Sequence, residues 1–430
     1  MTQGRGGTIF ALSSGAPPAG IAVIRISGTG ARTALAALAR RVPPARQASL
    51  ALLKDPMDGG ALDRALLLWL PGPATVTGED MAELHCHGGR AVVAAVESAL
   101  AALPGLRRAE PGEFTRRAFE NGRMDLNAVE GLSDLLAAET QSQRRAALAM
   151  AEGHFSRRVE DWRQRLLDLS AMAEAALDFS DEDDVPDDAI EGRVSGEIAA
   201  MMREVGAVLA APPAERLRDG VRVVLAGPPN AGKSTLLNAL VGRDAAIVSD
   251  IAGTTRDRIE VPVAIDGVAY LFTDTAGLRA DSGDAVEAIG IDRARAALDA
   301  ADIILWLGKT DDLPRPDAIL VAAQSDRAGA ARPGLRLSAL TGEGMDALRA
   351  MLHRRASALL PGDSDHALHA RQRQRVGQLF AHLQGAVATS DLLVAAEELR
   401  LARGAIDALT GRAGTEDMLD RLFSGFCIGK

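Results

Sequence analysis

The chain has 430 residues, 47% of them hydrophobic and 25% charged, which is room for two to four ordinary globular domains. A net charge of −10, and a single tyrosine among 3% aromatic residues, exclude binding of nucleic acid by bulk positive charge or by stacking many bases on rings. Cys86 and Cys427 are the only two cysteines, too few for a disulfide framework or a zinc pattern, and no apolar run reaches the length of about 18 residues that spans a membrane, so a cytoplasmic protein without a membrane partner is expected.

Residues 1–120 carry a net charge of +3 and read as a mixed α/β domain. A β-branched apolar run at 21–26 ends at Ser27-Gly28. A second strand candidate at 65–70 is stopped by Pro71-Gly72-Pro73, and 91–103 has helical periodicity up to Pro104-Gly105. From 121 to 215 the pattern is helical: Leu126, Val129, Leu132 and Leu135-Leu136 recur at three- and four-residue spacing. Helical stretches at 159–177 and 189–210 follow, closed by Pro212-Pro213. Between 216 and 357, strand candidates at 221–226, 261–265, 268–273, 303–307, 319–323 and 335–337 alternate with helices, the pattern of a mainly parallel sheet wrapped by helices. Residues 358–430 are helical again to about Leu422. The expected architecture is α/β and α multidomain: an N-terminal α/β domain, then an all-α domain interrupted by an inserted α/β domain.

The inserted segment carries the clearest chemistry. Gly227-Pro228-Pro229-Asn230-Ala231-Gly232-Lys233-Ser234 follows a predicted strand and opens a predicted helix that continues through Thr235. Backbone amides of such a loop face phosphate oxygens, its lysine reaches the β- and γ-phosphates, and its hydroxyl binds Mg²⁺. Downstream, Thr254-Thr255 lies between the first helix and the next strand, with Thr255 the expected second Mg²⁺ ligand. Asp274-Thr275-Ala276-Gly277 ends the following strand, where Asp274 supports the metal and the Gly277 amide senses the γ-phosphate. Ser338-Ala339 ends the last strand, where a guanine would be approached. This order is that of a Ras-like GTPase, but Leu278 stands where such enzymes carry a water-orienting glutamine, and the downstream Glu287 offers a substitute. The base-reading element also departs from Asn-Lys-x-Asp: it is Ala323-Gln324-Ser325-Asp326. Asp326 keeps the acceptor for the guanine edge, while weaker bracing of the loop is expected from Ala323 and Gln324.

Residues 249–257 (SDIAGTTRD), taken with the C-terminal Phe426-Cys427-Ile428-Gly429-Lys430, resemble the MnmE (TrmE) family of tRNA modification GTPases. The resemblance extends over nearly the whole chain, through Ile24-Arg25-Ile26-Ser27-Gly28, Thr77-Gly78-Glu79-Asp80, His87-Gly88-Gly89 and Pro111-Gly112-Glu113-Phe114. It implies a tetrahydrofolate-binding-like N-terminal domain that makes a homodimer, and a helical domain interrupted by a Ras-like G domain. It further implies a flavin-dependent MnmG-type partner in a heterotetramer or larger assembly. Together these would add an aminomethyl-type group, drawn from 5-formyl- or methylene-tetrahydrofolate, to C5 of the wobble uridine of tRNA.

The resemblance carries folate contacts onto Arg25, Glu83, Arg123 (lysine in the family pattern) and Lys430, one of only four lysines in the chain. It implies a K⁺ ion held by Asn230, Ser249, the Ile251 carbonyl and Thr254, within a nucleotide-binding loop that also includes Asp250, Ala252 and Gly253. A fixed cation there would do the work of an arginine finger, worth about 10³–10⁵ in rate. Glu287 matches the family's water-orienting acid. Cys427, between Phe426 and Ile428, is expected to be a packed thiol. The G domain by itself also permits a regulatory GTPase of RNA binding or ribosome assembly; Arg25, Glu83 and the Lys430 tail separate the two, because a simple switch needs no folate pocket.

Overall fold

The computed structural model describes residues 7–178, 187–243, 260–274, 292, 294–327, 333–362, 366–413 and 416–429. The chain forms two compact units, residues 1–129 with 410–430, and residues 130–409.

In the first unit the described residues form a six-stranded sheet of β1 (Thr8–Leu12), β2 (Ala19–Ser27), β3 (Ser49–Lys54), β4 (Ala61–Leu70), β5 (Met81–Gly88) and β6 (Leu106–Arg108), ordered β3-β4-β5-β2-β1-β6. All pairings are antiparallel except β1 with β6. Helices Ala31–Ala39 and Arg90–Ala101 cover one face, where Leu35, Leu38, Val96 and Leu100 pack on Ile24, Ile26, Leu67 and Leu84. Strand residues alternate between faces, so Leu50, Leu52, Leu66 and Ile21 point the other way and are exposed. Register sets Leu50 beside Leu66 and Leu66 beside His85, so that face carries an apolar pair next to a histidine. Cys86 points into the covered side at 2% exposure, and burial pushes its thiol up to about 12, so it is inert packing.

The second unit holds β7 (Val221–Ala226), β8 (Glu260–Ile265), β9 (Val268–Asp274), β10 (Ile303–Trp306), β11 (Ile319–Ala322) and β12 (Leu335–Arg336), ordered β12-β11-β10-β7-β9-β8. Only β8 runs antiparallel to its neighbour. β7 is central and, from Val223 on, buried on both sides, which is why Val223–Ala226 reads as an apolar run. Val223 and Leu225 face the core of Leu236, Leu240 and Phe272, and Val224 and Ala226 face Ala301 and Ile304.

Helices His154–Asp178 and Asp187–Ala210 precede this sheet in the chain, and Ala370–Ala388 and Leu392–Thr410 follow it. They share one core, in which Trp162, Leu166, Met201 and Val205 meet Val376, Leu379, Leu399 and Ile406. The helical body is therefore built from both sides of the α/β insertion. Helix Gln141–Ala151 grips the insertion directly: Thr140 and Gln143 form its capping box. Ser142 Oγ donates to the Gly267 carbonyl in the β8–β9 turn at 2.7 Å, and Gln143 Nε2 donates to the Leu217 and Arg218 carbonyls at 3.1 Å.

By contact, residues 410–430 group with residues 1–129. The cause is aromatic: Phe423 is buried, with its ring 6.2 Å from that of Phe119 and 6.3 Å from that of Phe426.

Candidate nucleotide site and open-face ion pair

The loop after β7 turns sharply into helix Lys233–Arg243. Gly227 sits at φ 145°, and a Cβ there would lie 3.1 Å from the Leu307 carbonyl carbon, so the turn requires glycine. Lys233 is 5% exposed, and its Nζ donates to the Gly227 and Pro228 carbonyls at 3.0 and 2.8 Å. The ammonium is thus held over the mouth of the loop, where phosphate oxygens would meet it. Leu225 pairs with Asp274 across β7 and β9, which brings Asp274 level with the loop. Ser234 Oγ donates to Asp274 Oδ2 at 2.5 Å. A hydroxyl and a buried carboxylate side by side form an all-oxygen donor set that suits Mg²⁺.

The residues expected to read the base follow the ends of β11 and β12. Ser338 is fully buried and its Oγ donates to Asp326 Oδ1 at 2.6 Å. That hydrogen bond holds the Asp326 carboxyl below the usual carboxylate range, so it is an anionic acceptor at neutral pH. Gln324 Nε2 donates to the Asn230 carbonyl at 3.4 Å, joining the base-reading segment to the phosphate loop. Ala231 is half-buried inside the phosphate loop, Thr235 is exposed in the first turn of its helix, and Ala339 is half-buried after Ser338. Ser249, Asp250, Ile251, Ala252, Gly253, Thr254, Thr255, Thr275, Ala276, Gly277, Glu287 and Lys430 lie outside the described residues.

On the open face of the first sheet, Arg25 and Glu83 are direct cross-strand partners on β2 and β5. Arg25 Nε and Nη2 donate to Glu83 Oε1 at 3.1 and 3.0 Å, and Glu83 Oε2 meets His85 Nε2 at 3.1 Å. The Arg25 guanidinium also lies 6.0 Å from the centroid of the Phe114 ring. Arg123 is exposed; its Nε donates to the Thr75 carbonyl at 3.1 Å, and among the described residues no hydrogen bond joins it to the Arg25–Glu83 pair.

Two family profiles match the chain, "GTP-binding protein TrmE N-terminus" over residues 8–123 and "MnmE helical domain" over residues 126–427. The chain is 61% identical over 427 residues to a tRNA modification GTPase MnmE from Rhizorhabdus wittichii, covering 98% of this chain and 96% of that one. It is 59% identical over 420 residues to one from Sphingopyxis alaskensis (95% and 100%). It is 57% identical over 434 residues to one from Novosphingobium aromaticivorans (98% and 99%).

The chain belongs to the tRNA modification GTPase MnmE family.

Among solved structures it is similar to the G domain of the T. maritima FeoB iron transporter, 25% identical over 32% of this chain and 98% of that one at a TM-score of 0.24, and nothing rests on that likeness. The fold expected of an MnmE chain is the one present: an N-terminal α/β sheet, and a helical body interrupted by a mainly parallel α/β domain.

Several motif residues of this MnmE chain turn out to tie the fold together. Ser27 Oγ donates to Glu79 Oε2 and pairs with Thr77 Oγ1, both at 2.7 Å. Arg117 Nη1 donates to Glu79 Oε2 at 3.0 Å, while its Nη2 donates to Glu113 Oε1 at 3.0 Å. Arg107 holds both oxygens of Glu113 at 2.8 and 2.5 Å. Burial raises the Glu113 carboxyl, but the Arg107 hydrogen bonds, with those from the Glu110 amide and Arg117, outweigh it and keep the group below its ordinary range. This network pins the segment around Thr77 and Glu79 to β2 and to helix Glu113–Glu120, beside the strand that carries Arg25. Sequence reading quoted these residues as a resemblance only, because their partners are distant in the chain.

The C-terminal tail also differs from expectation at one residue. Phe426 is 6% exposed, whereas Ile428 is 58% exposed and Cys427 is exposed as well, so the thiol is not packed between two apolar neighbours. The tail backbone does the docking. Ile428 bridges Pro111, and Gly429 at φ 95° runs so close to β1 that a Cβ would meet the Leu12 carbonyl oxygen at 2.1 Å.

Proposed function

We propose that this chain is a K⁺-dependent GTP hydrolase that acts with a flavin-dependent MnmG-type protein to add a folate-derived aminomethyl-type group to C5 of the wobble uridine of tRNA. The observation that carries the reading is the pairing, in one chain, of an assembled nucleotide site with an arginine–carboxylate pair on an open sheet face beside a docked C-terminal tail. The experiment is complementation of a strain lacking its own copy, with nucleoside analysis of tRNA beside GTP turnover by the purified protein. Turnover without restored uridine modification would leave a regulatory GTPase of RNA binding.

In the GTP-bound state Lys233 exchanges its two loop carbonyls for β- and γ-phosphate oxygens. Ser234 and Thr255 would hold Mg²⁺ with support from Asp274, and Asn230, Ser249, the Ile251 carbonyl and Thr254 would hold K⁺. Bound there, these ions supply positive charge against the charge that builds on the phosphates as the bond breaks. The Gly277 amide registers the γ-phosphate, and Glu287 orients the attacking water that Leu278 cannot. The Asp326 carboxylate, steadied by Ser338, accepts the N1 and N2 hydrogens of guanine.

Two outcomes follow from this division of labour. Turnover falls by roughly 10³-fold or more when K⁺ is replaced by Na⁺, the lower end of what an arginine finger supplies; equal rates in the two buffers would remove the monovalent ion from the mechanism. Glu287→Ala lowers kcat at least about 10²-fold with GTP affinity nearly unchanged, because a water-orienting group acts mainly in the transition state. If affinity and turnover dropped together, Glu287 would be structural.

On the folate side, the Glu83 carboxylate is suited to a pterin's N–H edge and Arg25 to its carbonyl or glutamate tail, with Arg123 and Lys430 as further cations. Leu50, Leu52, Leu66 and Ile21 leave apolar side chains exposed on the open face of this sheet, which supports a homodimer formed through it. No helix among the described residues is long and apolar enough to cross a membrane. The same reading places the work on tRNA in the cytoplasm. The domain reading that accompanies this function is 1–120 for folate and dimerisation, 121–215 and 358–430 for the helical domain, and 216–357 for the G domain.

A further inference from the structure

The base-reading segment lacks the lysine that the Asn-Lys-x-Asp pattern would place at position 324. Losing a lysine beside a phosphate site loses both a positive charge and a hydrogen-bond donor. The structure shows what stands in for the donor.

Gln324 has φ 61°, a left-handed conformation that residues other than glycine seldom adopt. From that turn its side chain lies across the phosphate loop. Nε2 donates to the Asn230 carbonyl at 3.4 Å, and a Cβ built on Gly232 would touch Nε2 at 3.4 Å and Cγ at 3.7 Å. Asn230 itself is left-handed at φ 59°, which turns its peptide carbonyl out of the loop's run of amides.

The other end of the amide is engaged too. Arg327 Nη1 donates to Gln324 Oε1 at 3.2 Å, and the Arg327 amide donates to the Gln324 carbonyl at 3.0 Å. A guanidinium has no acceptor, so it can only face the oxygen of the glutamine amide, and this leaves the NH₂ group toward the phosphate loop. Asp326 lies two residues from Gln324 and is fixed by Ser338. Four consecutive residues, 324–327, thus hold the base-reading carboxylate, a tether to the phosphate loop and the group that orients the tether.

We propose that Gln324 is a positioning residue that ties the base-reading segment to the phosphate loop through the Asn230 carbonyl, with Arg327 orienting its amide. The inference rests on the guanine-nucleotide reading of Asp326 and deepens it. The tether is neutral, so its contribution is insensitive to ionic strength, unlike that of a lysine.

The test is release of a fluorescent GDP analogue from the full chain by stopped flow. Gln324→Leu keeps the bulk and removes the donor, and speeds release about three- to tenfold, the worth of one hydrogen bond. Gln324→Lys restores a donor and returns release to the wild-type rate or slower, and its advantage over wild type shrinks as salt rises. A merely structural glutamine would not be rescued by lysine, nor acquire that salt dependence. Arg327→Ala gives a smaller acceleration; an unchanged rate there would remove Arg327 from the tether. Wild-type release from Gln324→Leu, or failure of Gln324→Lys to rescue, overturns the proposal. Asp326→Asn in the same assay isolates the underlying reading: if it left GDP binding intact, the base site itself would be misassigned, whatever Gln324 does.

Discussion

Deleting Cys427 to Lys430 abolishes wobble-uridine modification and leaves GTP turnover at the level of the intact chain. The truncation removes little packing, since Cys427 and Ile428 are exposed and the buried anchor Phe426 remains. What it removes is position. Gly429 runs against Leu12 on β1, and the neighbouring Ala11 is the cross-strand partner of Arg25. The backbone of the tail is therefore brought to β1, the neighbour of the strand that carries Arg25, and Lys430 follows directly on Gly429. The nucleotide residues belong to the other unit of the chain, so GTP turnover has no need of the tail. A turnover assay paired with nucleoside analysis of tRNA from complemented cells reads both halves. Full modification in the truncated strain would take the tail out of the chemistry.

Asp326→Asn costs GTP about 10²–10⁴ in affinity and gives XTP the advantage. Two hydrogen bonds to a carboxylate at about 1.5–3 kcal/mol each set that range. Asparagine can accept only one of the two guanine hydrogens and turns its NH₂ toward the other, whereas the carbonyl at C2 of xanthine accepts from it. Ser338 can still donate to the amide oxygen, so the segment keeps its place and the change is confined to the base edge. Because the Ser338 hydrogen bond keeps Asp326 ionised well below neutral pH, the preference for GTP in the wild-type chain stays flat through the neutral range. Competition binding with GTP, XTP and ATP measures the switch. A variant that still prefers GTP would place base recognition elsewhere than residues 323–326.

How far these expectations could be read without the fold depends on where each interaction lies along the chain. The parallel strands of the insertion were legible because burial on both faces demands apolar runs, and Val223–Ala226, after the exposed Arg222, is one. The turn into helix Lys233–Arg243 was legible because its signal is contiguous: the glycine at 227 that makes the turn and the first helical residues lie close together in the chain. In the first sheet β5 went unread, because Glu83, His85 and His87 interleave with Ala82, Leu84 and Cys86 and break the apolar run. That interleaving is the period-two signature of a strand with one open face.

The sequence by itself thus determined the backbone devices that are local: helix periods, turns at Pro and Gly, the phosphate loop, and the motif strings that mark the family. Tertiary structure alone decided everything set by register or by packing between distant segments. Arg25 and Glu83 are 58 residues apart and meet only because β2 and β5 pair in one register; a slip of one residue would send one of them into the core. The same holds for the Glu113 network, the exposure of Cys427 and the reach of Gln324 to Asn230, 94 residues away. Local sequence fixes φ and ψ preferences over a few residues, whereas the choice of partner across a sheet or between loops is made by the burial of the whole core.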